Sequence, residues 1–476
     1  MKILFIVPPL SVNRKVKFAN HQVPLGFMYM ANVLEKEGFE VKILDCPLYY
    51  KERRRVDEDT DKIGFDNYDI GQEIKSFNPD IVGISCSYSM YEKDSFDIIN
   101  LVKVVNKKIL VVVGGAHASS NPLKNKNIDL IVKGEGELTM LEIAKNFRDK
   151  KDMKHIIGTA GNPPRPLIEN LDDYQPAWHL INLEDYFKHP DNSAATIRKP
   201  SVTIITSRGC FANCIFCSVQ TIWGRKWRAM SANNVVDQIE YLYNKGVKHF
   251  RINDDNLTID KKRIIAICDE IIRRKINIKW DTPSGVAMWA LDEEVLTAMK
   301  KSGYYRITFG IESGSYDTLK YIGKNIDLDK ARNIIATSHK LGLWTASFFI
   351  IGFPYETRED IQKTEDFIVN SGINFPFVFI AQPYSGTRMY EDFKAIGCDV
   401  EALSNSTVSK YNTTNFTADQ LNEFRKHIYI KFYKKKIWSY CNPITFYKEF
   451  FSKIRSLEDL KYTTKMMIAI VTNILY

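Results

Sequence analysis

Along the first 150 positions, apolar residues come in short unbroken runs, each followed by a stretch of helical spacing. The runs are KILFIV (2–7), VKILD (41–45), IVGIS (81–85), ILVVVGG (109–115) and LIVKG (130–134), and none alternates apolar with polar. A strand that is apolar on both faces is buried on both, as in a parallel sheet covered by helices. Between the runs lie GFMYMANVLEKEG, residues 68–77, YEKDSFDIINLVKVVN and ELTMLEIAKNFR, with apolar positions at helical spacing. The pattern predicts a doubly wound α/β domain over 1–150.

Such a domain would be flavodoxin-like, with ligands at the carboxyl ends of its strands. Glycines stand there, as Gly114-Gly115 and as Gly134 and Gly136. The pattern then breaks. Residues 151–198 are rich in Pro, Asn and Asp and read as a connector. A second alternation follows over 199–405, with strands expected at 201–206, 249–254, 278–283, 305–312, 345–352 and 377–383. Six βα units in about 200 residues fit a partial (β/α)6 barrel, whose chemistry sits at the carboxyl ends of its strands. Residues 406–476 read as a mostly helical tail.

Charge changes the picture only at that tail. The whole chain of 476 residues carries +9, and residues 411–476 hold eleven Lys/Arg against five Asp/Glu, interleaved with aromatics. The run TKMMIAIVTNILY from Thr464 is apolar on most of its face. Packing on the barrel and peripheral contact with an anionic membrane both fit that pattern. No run approaches the roughly 18 apolar residues of a membrane span, and the start lacks a signal peptide, so a cytoplasmic protein is expected. Cys46, Cys86, Cys268, Cys398 and Cys441 are scattered and give no disulfide framework.

The other three cysteines are clustered. SRGCFANCIFCS sets Cys210, Cys214 and Cys217 at C-x3-C-x2-C, directly after the run SVTIIT. A structural zinc site would need a fourth side chain, and Cys268, His189 and His249 are all remote in sequence. Three thiolates in one loop suit a [4Fe–4S] cluster with one iron open to a ligand. On these residues cluster is favoured and zinc stays the alternative.

C-x3-C-x2-C with Phe216 before the last cysteine resembles the radical SAM superfamily. RINDDNLT (251–258), FGIESGS (309–315), FIIGFPYET (349–357) and AQPYSGTRMY (381–390) resemble further motifs of that family, in the right order. The resemblance implies that S-adenosylmethionine (SAM) completes the open iron. It assigns Phe216, Asp254, Glu312, Ser313 and Gly352 to SAM, with Glu312 at the ribose hydroxyls. PLGFMYMANVLEKEGFEVKILD (24–45), VVVGGAHAS (111–119) and DLIVKGEGE (129–137) resemble the cobalamin-binding domain that precedes the barrel in one subfamily. Carried over, Ser85, Ser87, Gly114, Gly115, His117, Glu135 and Gly136 would line the groove for the nucleotide tail. Pro24, Leu25 and Gly26 would lie below the corrin ring. The D-x-H-x2-G loop that offers a histidine to cobalt is absent, and its nearest look-alike holds only His21.

The activity implied is that of a cobalamin-dependent radical SAM methyltransferase, similar to the class B enzymes, acting on an unactivated carbon through a 5′-deoxyadenosyl radical and methylcobalamin. The alternative keeps both cofactors but cyclises, oxidises or rearranges its substrate. A small molecule, lipid or peptide is the expected substrate and flavodoxin or ferredoxin the expected electron donor. Nucleic acid is not an expected partner.

Overall fold

The computed structural model describes residues 1–14, 21–189, 196–400, 410–449, 451–454 and 456–465. They divide into two compact units, Met1–Ala194 with Ser218–Gly224, and Ala195–Cys217 with Arg225–Tyr476.

The strands of the first unit, in chain order, are β1 (Lys2–Val7), β2 (Leu10–Asn13), β3 (Glu40–Asp45), β4 (Arg53–Arg55), β5 (Thr60–Ile63), β6 (Ile81–Ser85), β7 (Leu110–Gly114) and β8 (Leu130–Ile131). Five of them form a parallel sheet in the order β3-β1-β6-β7-β8, the flavodoxin-like order. The unbroken apolar runs now have their reason. Ile3 and Phe5 face one helix layer with Phe27, Ala31 and Leu34, while Leu4 and Ile6 face the other with Ile70, Ile74 and Ile98. Gly83 is small because a Cβ there would lie 2.5 Å from the Phe5 ring on the neighbouring strand. Ile156 and Ala177, from the expected connector, are buried in the same core. The remaining strands make an antiparallel sheet, β2-β5-β4, which the hydrophobic pattern did not announce. Its strands are RRR and TDKI beside LSVN, held partly by ion pairs such as Arg53 Nε to Asp61 at 2.6 Å.

The second unit contributes β9 (Ser201–Ile204), β10 (Ser207–Arg208), β11 (Arg228–Ala229), β12 (His249–Ile252), β13 (Lys279–Asp281), β14 (Tyr304–Glu312), β15 (Trp344–Ile351) and β16 (Phe375–Ile380). Six of these form an all-parallel sheet in sequence order from β9 to β16, as a partial barrel requires. The helices between them start on side-chain caps: Ser231, Asp260, Asp292, Asp327 and Thr357 each accept a backbone N–H of the first turn. The edge strand β16 is covered by the helix Ala418–Tyr440. There Val378 N–H donates to the Tyr429 hydroxyl at 2.9 Å and Arg425 Nε donates to Val378 O at 2.8 Å. Covering an edge in this way removes a template for unwanted pairing.

The described end of the tail packs at the amino ends of the strands. Tyr462 is 2% exposed among Tyr305, Trp344 and Phe375, and Lys453 Nζ donates to Asn374 Oδ1 at 2.6 Å. Part of the tail therefore packs on the barrel, while Trp438, Ile444, Tyr447 and Leu457 stand exposed; the run TKMMIAIVTNILY beyond Lys465 lies outside the described residues. Among the described residues no helix is long and apolar enough to cross a membrane.

Candidate active site

The cysteine loop is fixed before its first cysteine. Asp254, 2% exposed after β12, accepts from Thr206 N–H at 2.6 Å and from the hydroxyls of Thr206 and Ser207 at 2.7 and 2.6 Å. Its neighbour Asp255 accepts from Gly209 N–H at 2.8 Å, and burial pushes its carboxyl up to about 6. Asn256 Nδ2 reaches Cys210 Sγ at 4.0 Å. The second-strand stretch thus anchors the loop that carries the thiols, and Asp254 spends its oxygens on that task. Further on, Ile215 N–H donates to Ile322 O at 3.1 Å, and Gly323 approaches so closely that a Cβ would lie 2.7 Å from Asn213 O.

Cys210, Cys214 and Cys217 form no disulfide and are partly exposed. By contrast Cys86 and Cys268 are pushed up to about 11 and about 12 by burial and behave as small apolar residues. Burial also raises Cys214; Lys324 pulls it back, while Glu312 and Cys210 push it further up. Lys324 itself is a half-buried cation. Desolvation alone would lower it, but Glu312 and the thiols of Cys214 and Cys217 outweigh that and raise it. Lys324 Nζ donates to Glu312 Oε1 at 2.8 Å. Three thiols with a half-buried ammonium beside them are a donor set and counter-charge that suit a thiolate-bound cluster. Among the described residues no group of three or more His, Cys, Asp or Glu is already gathered around a point that could hold one metal ion. The chemistry of the donors, rather than a preformed cage, is what fits.

Glu312 is one of the few non-glycine residues with a positive φ, +71°, where β14 shifts register against β15. Such backbone strain is characteristic of sites where a side chain must be aimed. Ser313 is fully buried, its hydroxyl 2.9 Å from Thr364 Oγ1, and it serves the loop rather than open space. Phe216 lies against Phe353 with ring centroids 6.2 Å apart. Gly352 has φ +81°, and a Cβ there would meet Leu421 at 2.9 Å and Ile380 at 3.2 Å, so packing against the covering helix already demands glycine. Its N–H donates to Glu356 Oε2 at 2.6 Å.

In the first unit the residues singled out from sequence gather at the carboxyl ends of β6, β7 and β8. Ser85 and Ser87 share a hydroxyl contact of 3.0 Å. Gly115 has φ +124°, and a Cβ there would lie 2.7 Å from Cys86 O and 2.9 Å from Ser87 Oγ. A Cβ on Gly136 would lie 2.8 Å from Met30 Sδ, whereas one on Gly26 would meet nothing within 4 Å. Small residues along one edge and open space at Gly26 suit a bulky ligand brought close to backbone. Glu135 accepts from Ile168 N–H at 2.8 Å. His117 is engaged on both ring nitrogens, Nε2 with Glu92 at 2.5 Å and Nδ1 with Ser89 and Asn121 at 2.9 Å. His21 stands 3.1 Å from Asp45, stacked on Tyr186. Ser218–Gly224 belongs with this unit: Thr221 Oγ1 is 2.8 Å from Ser120 Oγ.

Asp255, Asn256 and Lys324 are not among the residues that the sequence singles out. The aspartate doublet in RINDDNLT carries a signal for the first two; Lys324 lies 12 residues after Glu312 and carries none.

A model of the Radical SAM superfamily matches residues 204–368, and one of the B12 binding domain matches residues 14–144. An uncharacterized methyltransferase of Pyrococcus horikoshii is 34% identical over 455 residues, covering 91% of this chain and 92% of that protein. The cytidylyl-2-hydroxyethylphosphonate methyltransferase of Streptomyces wedmorensis is 33% identical over 439 residues, covering 82% and 81%. The solved structure of the radical SAM methyltransferase TsrM from Kitasatospora setae has the same fold, with a TM-score of 0.70 and 17% identity over 91% of this chain and 89% of that one. Thiols at the mouth of a partial barrel and a flavodoxin-like ligand domain in one chain define a two-cofactor radical enzyme. The chain belongs to the cobalamin-dependent radical SAM enzymes, and its cofactors are a [4Fe–4S] cluster, SAM and cobalamin.

Proposed function

We propose that the protein transfers a methyl group to an unactivated carbon of a small-molecule substrate. One observation carries this reading: the similarity to two methyltransferases runs through both units at about one-third identity, over four-fifths or more of each chain. When bound, the cluster with SAM supplies a primary carbon radical and cobalamin supplies the methyl group.

The chain's own residues do the positioning. Cys210, Cys214 and Cys217 hold the cluster, and Asp254 and Asp255 keep their loop in one conformation. Glu312, aimed by its strained backbone and balanced by Lys324, would accept from the ribose diol of SAM. Phe216 and the Gly352 turn would flank the nucleoside. Ser85, Ser87, Gly114, Gly115, Glu135 and Gly136 would line the groove for the nucleotide tail of cobalamin, and Pro24, Leu25 and Gly26 would lie under its ring. His117 braces that groove through Glu92 and Ser89. His21, engaged by Asp45, would not offer its imidazole to cobalt. A flavodoxin or ferredoxin would deliver the electron. The domain boundaries that go with this reading are 1–150 for the cobalamin domain, 199–405 for the barrel and 406–476 for a tail that packs on it.

The test is stoichiometric. Reconstituted enzyme is incubated with methyl-deuterated SAM, a reductant and the small-molecule extract of the source cells. S-adenosylhomocysteine and 5′-deoxyadenosine should form in equal amounts, with the label in a new product. Extract-dependent 5′-deoxyadenosine without matching S-adenosylhomocysteine or label would replace methyl transfer by cyclisation or oxidation.

A further inference from the structure

Arg251 is an exception to the charge pairing inside the barrel. On β12, Phe250 and Ile252 are buried against the helices at 0% and 1% exposure, so His249, Arg251 and Asn253 share the inward face. Parallel register sets Arg251 beside Thr203 on β9 and Asp281 on β13, and Asp281 beside Arg306 on β14. Asp281, 0% exposed, is taken by Arg306, whose Nη2 donates to Oδ2 and whose Nη1 donates to the Tyr462 hydroxyl at 3.2 Å. His249 adds no compensating charge. Burial outweighs the pull of Asp281 and holds its imidazole down to about 3, with Nδ1 3.0 Å from Ser201 Oγ. Arg198 and Glu458 pair with each other at 2.6 Å.

This level of the barrel therefore holds two guanidinium groups, one carboxylate and a neutral imidazole. Among the described residues Arg251 makes no hydrogen bond and no ion pair, and its buried Nε has no acceptor. Arg251 is half-buried, and a guanidinium on the inward face of the barrel with no protein acceptor can take its partner from an anionic ligand.

The wall formed by β15 and β16 is apolar. Phe348 and Ile350 on β15, with Phe377 and Phe379 on β16, alternate with residues buried against the helices. Phe348 lies 5.8 Å from Phe377 and 5.9 Å from Phe379 between ring centroids, yet Phe377 is 39% exposed. Phe348 also comes close to Gly285, where a Cβ would lie 3.5 Å from the ring.

We propose that Arg251 seats an anionic group of the substrate and that Phe348, Phe377 and Phe379 receive its apolar body. The substrate class is then an amphipathic anion: a carboxylate, phosphate or phosphonate on an apolar frame. This rests on the reading of the barrel as the place where the substrate reacts. The methionine carboxylate of SAM offers the same anion chemistry, and the experiment separates the two sources.

The reconstituted enzyme is titrated by calorimetry with phenylphosphonate, inorganic phosphate and SAM. Wild type should bind phenylphosphonate more tightly than phosphate. Arg251→Gln should lose about tenfold or more in phenylphosphonate affinity, the loss of a charge-assisted contact, and Arg251→Lys should keep part of it. Phe377→Ala should erase the preference for the phenyl group. SAM affinity should be unchanged in Arg251→Gln, and its Tm should equal or exceed that of wild type, because the guanidinium gives up no protein contact. The proposal is overturned by phenylphosphonate affinity that survives Arg251→Gln, by a Tm that falls in both Arg251 variants, or by loss of SAM binding, which would give the residue to the cofactor. None of these readouts needs turnover, so they stand or fall separately from methyl transfer.

Discussion

Glu356 shows how much one residue of a turn can carry. It is buried at the end of β15, its Oε2 accepting from Gly352 N–H at 2.6 Å and Phe353 N–H at 3.4 Å. Burial pushes its carboxyl up to about 8; those two N–H groups only partly oppose the shift, and Asp360 adds to it. A carboxyl raised in the folded state favours folding below its ordinary value of 4.5 and loses that contribution as pH climbs through about 8. Urea unfolding of the wild type should therefore show stability falling across that window. Glu356→Gln should flatten the fall, since the amide does not titrate; an unchanged slope would place the titrating group elsewhere. His21 and His117 teach the complementary lesson at this scale. Both stand out in the sequence as histidines near a cofactor, and both spend ring nitrogens on neighbours the sequence could not name, Asp45 and Glu92.

At the scale of elements, legibility followed burial. The strands expected at 2–7, 81–85 and 305–312 appear as Lys2–Val7, Ile81–Ser85 and Tyr304–Glu312, because a strand covered on both faces writes an unbroken apolar run. The β2-β5-β4 sheet wrote nothing comparable: its strands are short, charged and half-exposed. The site divided in the same way. The cysteines could be read from their spacing alone, whereas Lys324 and Arg251 matter through partners, or the lack of them, that only strand register and tertiary packing bring about. The helix over the edge of β16 was foreseen as a helical segment but not as a partner for that strand. Tyr429→Phe tests its part: Val378 N–H would lose its acceptor, and stability to urea should drop by about 1 kcal/mol, the low end for a partly buried donor. No drop would mean that water replaces the hydroxyl.

On the scale of the whole molecule, the two units are not two successive lengths of chain. Ser218–Gly224 counts with the first unit although it begins one residue after Cys217. A fragment ending at Ala194 would lack the Thr221 contact to Ser120 and should unfold at lower urea than the same unit in the full chain. The barrel has its own dependence on distant sequence, because Tyr462, Tyr305, Trp344 and Phe375 close its amino-terminal end. An enzyme that makes a primary radical has to contain it, and a tube open at both ends is a poor container. The four aromatic rings, packed against one another, act as a stopper at that end. Shortening the chain to end at Glu449 should leave iron loading intact. SAM would still be cleaved, but 5′-deoxyadenosine would outrun methylated product. What looks like a structural appendage would then set the fraction of radicals that reach their target, and the fidelity of the chemistry would be decided at the end of the barrel farthest from it.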